Sequence, residues 1–144
     1  MRTKREANSS WAVDSIQALL QRKDFTSAVI LAYVYSHIRL RSLVTDSLTG
    51  ETRGSKWEGT HEFLSVLYFM PMLKSAKKFQ IVNPDQFNML VALIEQRNDI
   101  AHRTSFWRNP TPQAKRRIRA VCHFGMQFLL ETAQPPEDPT ASSD

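Results

Sequence analysis

The sequence predicts an all-α protein, an antiparallel bundle of four to five helices. Apolar residues recur at three- and four-residue steps over long segments, and residues that begin or end helices separate these segments. The 144 residues contain only four glycines, which argues against a turn-rich β-sandwich, and 42% are apolar. We expect one helical domain over residues 9–134. A disordered N-terminus at 1–8 and a disordered acidic tail, rich in proline and serine, at 135–144 flank it.

The first two helices are predicted at residues 10–22 and from Asp24 to about Leu48. Asp24 is a good N-cap, and Gly50 follows as a stop signal. Residues 28–35 are apolar nearly all round, which is typical of the central helix of a bundle. A buried strand is the alternative, but the length of the run and its lack of glycine and proline favour a helix.

The third helix is expected after a loop at residues 49–60. It runs from about Thr60 to about Phe79, and Pro71 inside it should kink or split it. The strongest start signal of the chain follows, with Asn83 as cap, Pro84 at the first helical position and Gln86 three residues after the cap.

The fourth helix runs from that signal to about His102, and Thr111 caps a fifth helix that ends before Pro135. One face of the fifth helix carries apolar and small residues at helical spacing and should pack against the core. This face consists of Ile118, Val121, Cys122, Gly125, Phe128 and Leu129.

The fourth helix closes on the string Arg97-Asn98-Asp99-Ile100-Ala101-His102. Asn98 continues an apolar stripe and should lie on or beside the buried face, where a polar group needs a partner. Because Asn98 and His102 are four residues apart, the amide is placed to orient the imidazole. Arg97 lies about 100° around the helix from Asn98. Arginine and histidine near a helix C-terminus also complement the helix dipole without any further function.

These residue types suit RNA cleavage by the substrate's own 2′-hydroxyl. That reaction needs a base, an acid and cationic donors to the developing phosphorane, roles that His102 and Arg97 fill. One chain offers one such histidine, so a two-fold dimer would supply the second. We expect no metal and no cofactor, because the sequence lacks the clustered carboxylates of a metal-dependent nuclease.

The Arg97–His102 string resembles the motif of HEPN domains, in which a histidine follows an arginine after a few residues and a polar residue, often Asn, comes directly after the arginine. The resemblance covers roughly residues 10–133, with the string closing a late helix. It implies a HEPN-like helical bundle and a homodimer in which two motifs face each other. It also implies a metal-independent endoribonuclease of the toxin, phage-defence or RNA-processing type, with Arg97, Asn98 and His102 as active-site residues.

Positive charge concentrates beside the motif. The net charge is +5, and residues 97–119 hold seven arginines and lysines against one aspartate. Such a region suggests an anionic partner, with nucleic acid as the leading candidate. A helix face exposed to solvent explains a run of charges equally well. The residues expected to bind RNA are Arg103, Arg108, Lys115, Arg116 and Arg119.

Other polar and aromatic residues have simpler interpretations. His37 is expected in the core and His61 at the surface. Arg39 and Arg41 are also expected at the surface, with a shared cleft as the alternative. His123 lies on the basic side of the fifth helix. Trp107, with Phe106, either seals the core or stacks on a base.

The sequence thus favours a HEPN endoribonuclease acting on RNA, with an antitoxin or other protein as a further partner. The main alternative is a non-catalytic HEPN module that binds RNA or a protein. A third is an interaction domain whose basic helix docks an acidic partner. The chain has a single cysteine, Cys122, no apolar core of a signal peptide and no apolar run of the roughly 18 residues that a membrane helix needs. We therefore expect a cytoplasmic protein without a membrane span.

Overall fold

Six α-helices make up the regular structure of the residues that the computed structural model describes, 4–102 and 110–133. This confirms the all-α class, with one helix more than the upper number predicted. No helix within these ranges combines the length and apolar character needed to cross a bilayer. The helices are α1 Lys4–Gln21, α2 Phe25–Thr49, α3 Ser55–Leu64, α4 Phe69–Lys78, α5 Pro84–His102 and α6 Pro112–Glu131.

Helix α2 is the centre of the bundle and packs against each of the other five helices. It begins where the sequence predicted, because the Asp24 side chain accepts a hydrogen bond from the Ser27 amide at 3.3 Å. It ends at Gly50, which adopts the left-handed conformation at φ 68° that glycine tolerates best. The apolar run at 28–35 is therefore a central helix and not a strand.

Three helices come close together at Gly125 of α6. A Cβ at this position would lie 3.1 Å from Cβ of Ala32 on α2 and 3.3 Å from Cδ2 of Leu93 on α5. A glycine lets the helix backbones approach here, and large apolar side chains fill the space around the crossing. The largest fully buried ones include Ile16, Leu40, Phe69, Leu73, Leu90, Ile118, Phe128 and Leu129.

The capping residues predicted for α5 and α6 are confirmed. Asn83 Oδ1 accepts from the Gln86 amide at 2.7 Å, and Gln86 Oε1 accepts from the Asn83 amide at 3.0 Å. Thr111 Oγ1 accepts from the Ala114 amide at 3.1 Å. These bonds satisfy amides that have no partner within the helix, and so fix where each helix begins.

The structure has two helices where the sequence predicted a single third helix, and the loop is shorter than the predicted 49–60. Helix α3 already begins at Ser55, and the break falls at residues 65–68, before Pro71. Pro71 is the third residue of α4, where a backbone N–H has no acceptor within the helix, so its ring fits without a kink. The proline therefore marks the start of a helix and not its interruption.

Helix α1 begins at Lys4, six residues before the predicted start, so residues 4–8 belong to a helix and not to a disordered arm. Long-range bonds explain the difference. Arg5 forms an ion pair with Asp46 of α2 at 2.9 Å, and its carbonyl accepts from Arg39 Nη2 at 3.2 Å. A polar N-terminal segment is ordered here by partners that lie far away in the sequence.

Candidate functional site

The Arg97–His102 string occupies the C-terminal end of α5 and faces outward. Asn98 and His102 are exposed, and Arg97 is half-buried. Of the two predicted positions for Asn98, on the buried face or beside it, the first is wrong, because its side chain is exposed. The packed face rotates along α5, from Leu90 and Ile94 towards Gln96 and Ile100, because the helix follows the surfaces of both α2 and α6. Asn98 is thereby turned to solvent.

Two contacts hold Arg97. Its guanidinium lies over the ring of Tyr33 on α2, with 4.8 Å between Cζ and the ring centroid, and its Nη1 donates to Asn98 Oδ1 at 3.2 Å. No hydrogen bond joins Asn98 to His102, both of which the structure describes. The orienting bond expected from their spacing is therefore replaced by one that fixes the arginine.

His102 is the last residue of α5 and is open to solvent. Its imidazole is thus accessible to a substrate. The chain continues into residues 103–109, which lie outside the described residues. The predicted RNA-binding residues Arg103 and Arg108, and the aromatic pair Phe106 and Trp107, fall in this segment.

An aromatic cluster lies beneath Arg97. Tyr33 packs on Phe69 of α4 with 5.2 Å between ring centroids, and His37 stacks on Phe69 at 4.8 Å with an interplanar angle of 12°. Burial lowers the pKa of His37, and nearby Arg41 adds to the effect, while a hydrogen bond with the Leu67 backbone opposes it. The cluster couples α2 and α4 to the arginine of α5.

Exposed apolar side chains lie within about one turn of Tyr33, His37 and Phe69 in the sequence. On α2, Ile30, Val34 and Ile38 follow one another at helical spacing, and each is at least 40% exposed. In the connection before Phe69, Val66 is 74% and Tyr68 81% exposed. We call these five residues the apolar rim. An exposed apolar surface of this kind is typical of an interaction site.

The remaining predicted RNA-binding residues lie on the N-terminal half of α6, which packs against α5. Arg116 and Arg119 are exposed and Lys115 is half-buried. The Arg119 guanidinium lies 5.3 Å from the ring centroid of Phe25 at the start of α2. No hydrogen bond or ion pair links these three residues to the motif in the described part of the chain. His123 is exposed on the same helix.

The surface position predicted for Arg39 is wrong. Arg39 is only 6% exposed, because its guanidinium donates to carbonyl and hydroxyl oxygens of α1 and of the α6 end. His61 lies in the last turn of α3, half-buried, with its ring stacked on Trp57 at 4.7 Å. A polar residue inside an apolar helix was the only sequence signal for Arg39, and it does not reveal a partner so far away.

Among the described residues, no three histidine, cysteine or acidic side chains are grouped as ligands for a metal ion. The sequence matches no protein-family model, and comparison with curated proteins and with solved structures finds no significant match.

Proposed function

We propose that the protein is a HEPN-type, metal-independent endoribonuclease whose active site forms between two copies of the chain. The observation that carries the proposal is that the last turns of α5 carry both an exposed imidazole, that of His102, and a guanidinium, that of Arg97, which is held over Tyr33. Guanidinium and imidazole are the side-chain types that phosphodiester cleavage needs.

The reaction is attack by the ribose 2′-oxygen on the adjacent phosphorus. One imidazole takes the 2′-hydroxyl proton, the bond from phosphorus to the 5′-oxygen breaks, and the second imidazole gives a proton to that leaving oxygen. The products are a 2′,3′-cyclic phosphate and a 5′-hydroxyl. Arg97 donates to the phosphorane oxygens as negative charge develops on them. Asn98 acts through Arg97, whose Nη1 it binds, and is a positioning residue.

A second copy supplies the second imidazole. The acid and the base are two groups on opposite sides of the reacting phosphate, and the motif of one chain has one histidine. The apolar rim lies within about one turn in the sequence of the cluster on which Arg97 rests, so a two-fold contact through it would bury apolar surface and bring two motifs together. Lys115, Arg116 and Arg119 would hold the RNA backbone beside the motif.

A non-catalytic module that binds RNA is the second candidate. It is favoured by the bond of Asn98 to Arg97, because the described structure has no hydrogen bond from Asn98 that orients His102. In that case the arginine and the basic residues of α6 would bind RNA without cleaving it.

Cleavage of a labelled single-stranded RNA in EDTA tests the proposal. We expect products ending in a cyclic phosphate from the wild type, and at least 100-fold slower cleavage by His102→Ala or Arg97→Ala. Asn88→Ala, which removes an exposed polar side chain from the N-terminal half of α5, is the control and should cleave normally. Binding without cleavage by the wild type would select the non-catalytic alternative, and equal cleavage by wild type and His102→Ala would refute both roles of His102.

Mixed dimers test the shared site. Wild-type protein is exchanged with increasing fractions of His102→Ala, and activity is measured at constant total concentration. If both histidines of a dimer are needed, an equal mixture keeps about a quarter of the activity. If each chain works alone, it keeps about half, and the dimeric site is ruled out.

A further inference from the structure

A pocket away from the motif opens between α1, α2 and α3, with a volume of about 520 Å³. This is within the size range of small-molecule sites. Its walls include polar and aromatic side chains from the three helices and from the α2–α3 connection. Those that matter for ligand binding are Arg5, Arg39, Arg53, Trp57, Glu58 and His61.

The pocket has more cationic than anionic groups. Three arginines line it, against a single carboxylate, that of Glu58. The nearby Asp46 is already engaged, because Oδ2 pairs with Arg5 Nη2 at 2.9 Å and Oδ1 accepts from Trp57 Nε1 at 2.7 Å. The local charge therefore favours an anionic ligand.

Arg39 is buried in the pocket wall without a carboxylate partner. Its Nη1 donates to the Leu129 carbonyl at 2.9 Å and to Thr132 Oγ1 at 3.1 Å, and its Nη2 donates to the Arg5 carbonyl and to Ser9 Oγ. All these acceptors are uncharged. Burial and repulsion by Arg5 lower the pKa of Arg39 to about 10, although Asp46 opposes the shift. A buried guanidinium among neutral acceptors is stabilised when an anion comes near.

Arg5 carries an unused donor. Its side chain is 12% exposed, and its Nη1 is buried without a hydrogen-bond partner in the described part of the chain. Buried polar atoms are normally satisfied, so the unpaired donor of a side chain that lines the pocket makes Arg5 a candidate to bind an anionic ligand. Arg53 is exposed at the pocket and adds a further cation with a long side chain.

Two aromatic residues, Trp57 and His61, line the pocket beside these cations. Their rings are stacked with an interplanar angle of 13°. His61 Nε2 accepts from Arg41 Nε at 3.2 Å, so the ring is an acceptor there. Burial, and then Arg41, lower its pKa. Aromatic residues next to arginines suit a ligand with both a planar and an anionic part.

We propose that this pocket binds a small phosphate-bearing ligand of the size of a nucleoside monophosphate. Arg5 and Arg53 bind the phosphate, Arg39 supplies positive potential from the wall, and the Trp57 side provides the apolar surface. The site is on the α1 and α3 side of α2 and shares one lining residue, Ile38, with the apolar rim. The cations that bind the phosphate lie outside the rim, so the proposal does not depend on the ribonuclease proposal.

Isothermal titration of the full-length protein with inorganic phosphate, pyrophosphate, AMP and adenosine tests this site. We expect saturable binding of AMP and pyrophosphate and none of adenosine. Arg53→Ala, which removes an exposed side chain, should weaken AMP binding about ten-fold. Arg22→Ala, an exposed arginine at the end of α1 and absent from the pocket lining, is the matched control.

Other variants separate the outcomes. Arg5→Met tests the unpaired donor directly, and Arg53→Ala keeps the test valid if Arg5→Met does not fold. His102→Ala should bind AMP like the wild type, which separates this site from the α5 motif. The proposal would be overturned if Arg53→Ala and the wild type bound AMP equally, or if adenosine bound as well as AMP. It would also be overturned if no phosphate compound saturated the protein at about 10 mM.

Discussion

The guanidinium of Arg97 on α5 lies over the ring of Tyr33 on α2, 4.8 Å from the ring centroid. The arginine of the motif is thus anchored to the central helix of the bundle. Tyr33 in turn packs on Phe69 of α4, so the position of the cation depends on three helices. This relationship gives the first of four predictions.

Replacing Tyr33 by leucine should slow RNA cleavage about two- to five-fold, since a partly exposed cation–π contact contributes about 0.5–1 kcal/mol. Tyr33→Phe keeps the ring and should cleave like the wild type. Single-turnover rates at saturating protein make the comparison, and urea unfolding of both variants corrects for any loss of stability. Equal rates for the leucine and phenylalanine variants would show that the ring does not position Arg97.

Arg116→Gln should weaken RNA binding and reduce its salt dependence. Removing one cation that binds a phosphate lowers the slope of log Kd against log salt by about 0.7 for a single strand. Fluorescence anisotropy at several salt concentrations measures the slope. Lys74→Gln, which removes an exposed lysine from α4, is the control and should leave it unchanged. If the slope for Arg116→Gln were unchanged, we would conclude that α6 is not part of the RNA-binding surface.

The protein should lose stability on acidification through His37. Burial lowers the pKa of His37 in the folded state below 6.5, so protonation of His37 favours the unfolded chain. The contribution of neutral His37 to the free energy of unfolding is therefore fully present above pH 6.5 and is lost as the pH falls through the folded-state pKa. His37→Phe keeps the stacking on Phe69 and removes the titration. Urea unfolding at about pH 7.5 and about pH 5 should show a smaller loss for this variant. An equal loss in both proteins would assign the effect to other groups.

Two glycine-to-alanine changes should act in opposite directions. At Gly59 in α3 an added Cβ meets nothing within 4 Å, so Gly59→Ala should stabilise the protein by about 0.5–1 kcal/mol through helix propensity. At Gly125 the Cβ would lie 3.1 Å from Ala32 Cβ, which cannot rotate away, so Gly125→Ala should destabilise by about 1 kcal/mol. Thermal or urea unfolding measures both. If Gly125→Ala stabilised the protein, it would follow that α2 and α6 can move apart at little cost in free energy.

Local signals predicted the helices whose ends are set by nearby residues. Asp24 begins α2, and the reciprocal bonds of Asn83 and Gln86 begin α5, each as expected. The apolar spacing on α6 also identified its packed face, including Gly125, which is buried. These features depend on bonds within one turn or on one helix face, and the sequence contains that information.

The site was predicted only in part. The arginine and histidine of the motif were located on α5, but the exposure of Asn98 and its bond to Arg97 were not foreseen. Helical spacing fixes which side chains neighbour each other on a helix, and does not fix how far the buried face rotates along it. That rotation depends on how α5 lies against α2 and α6.

The sequence by itself determined the all-α class, the start of α2, α5 and α6, and the position of the candidate motif, because each depends on contacts between residues close in the chain. Only the tertiary structure decided that α1 begins at Lys4, that Arg39 is buried and that a cationic pocket lies beside α3. Those features depend on partners such as Arg5 with Asp46, which are 41 residues apart. No local sequence pattern specifies such a pair, because the two residues interact only once the helices have packed.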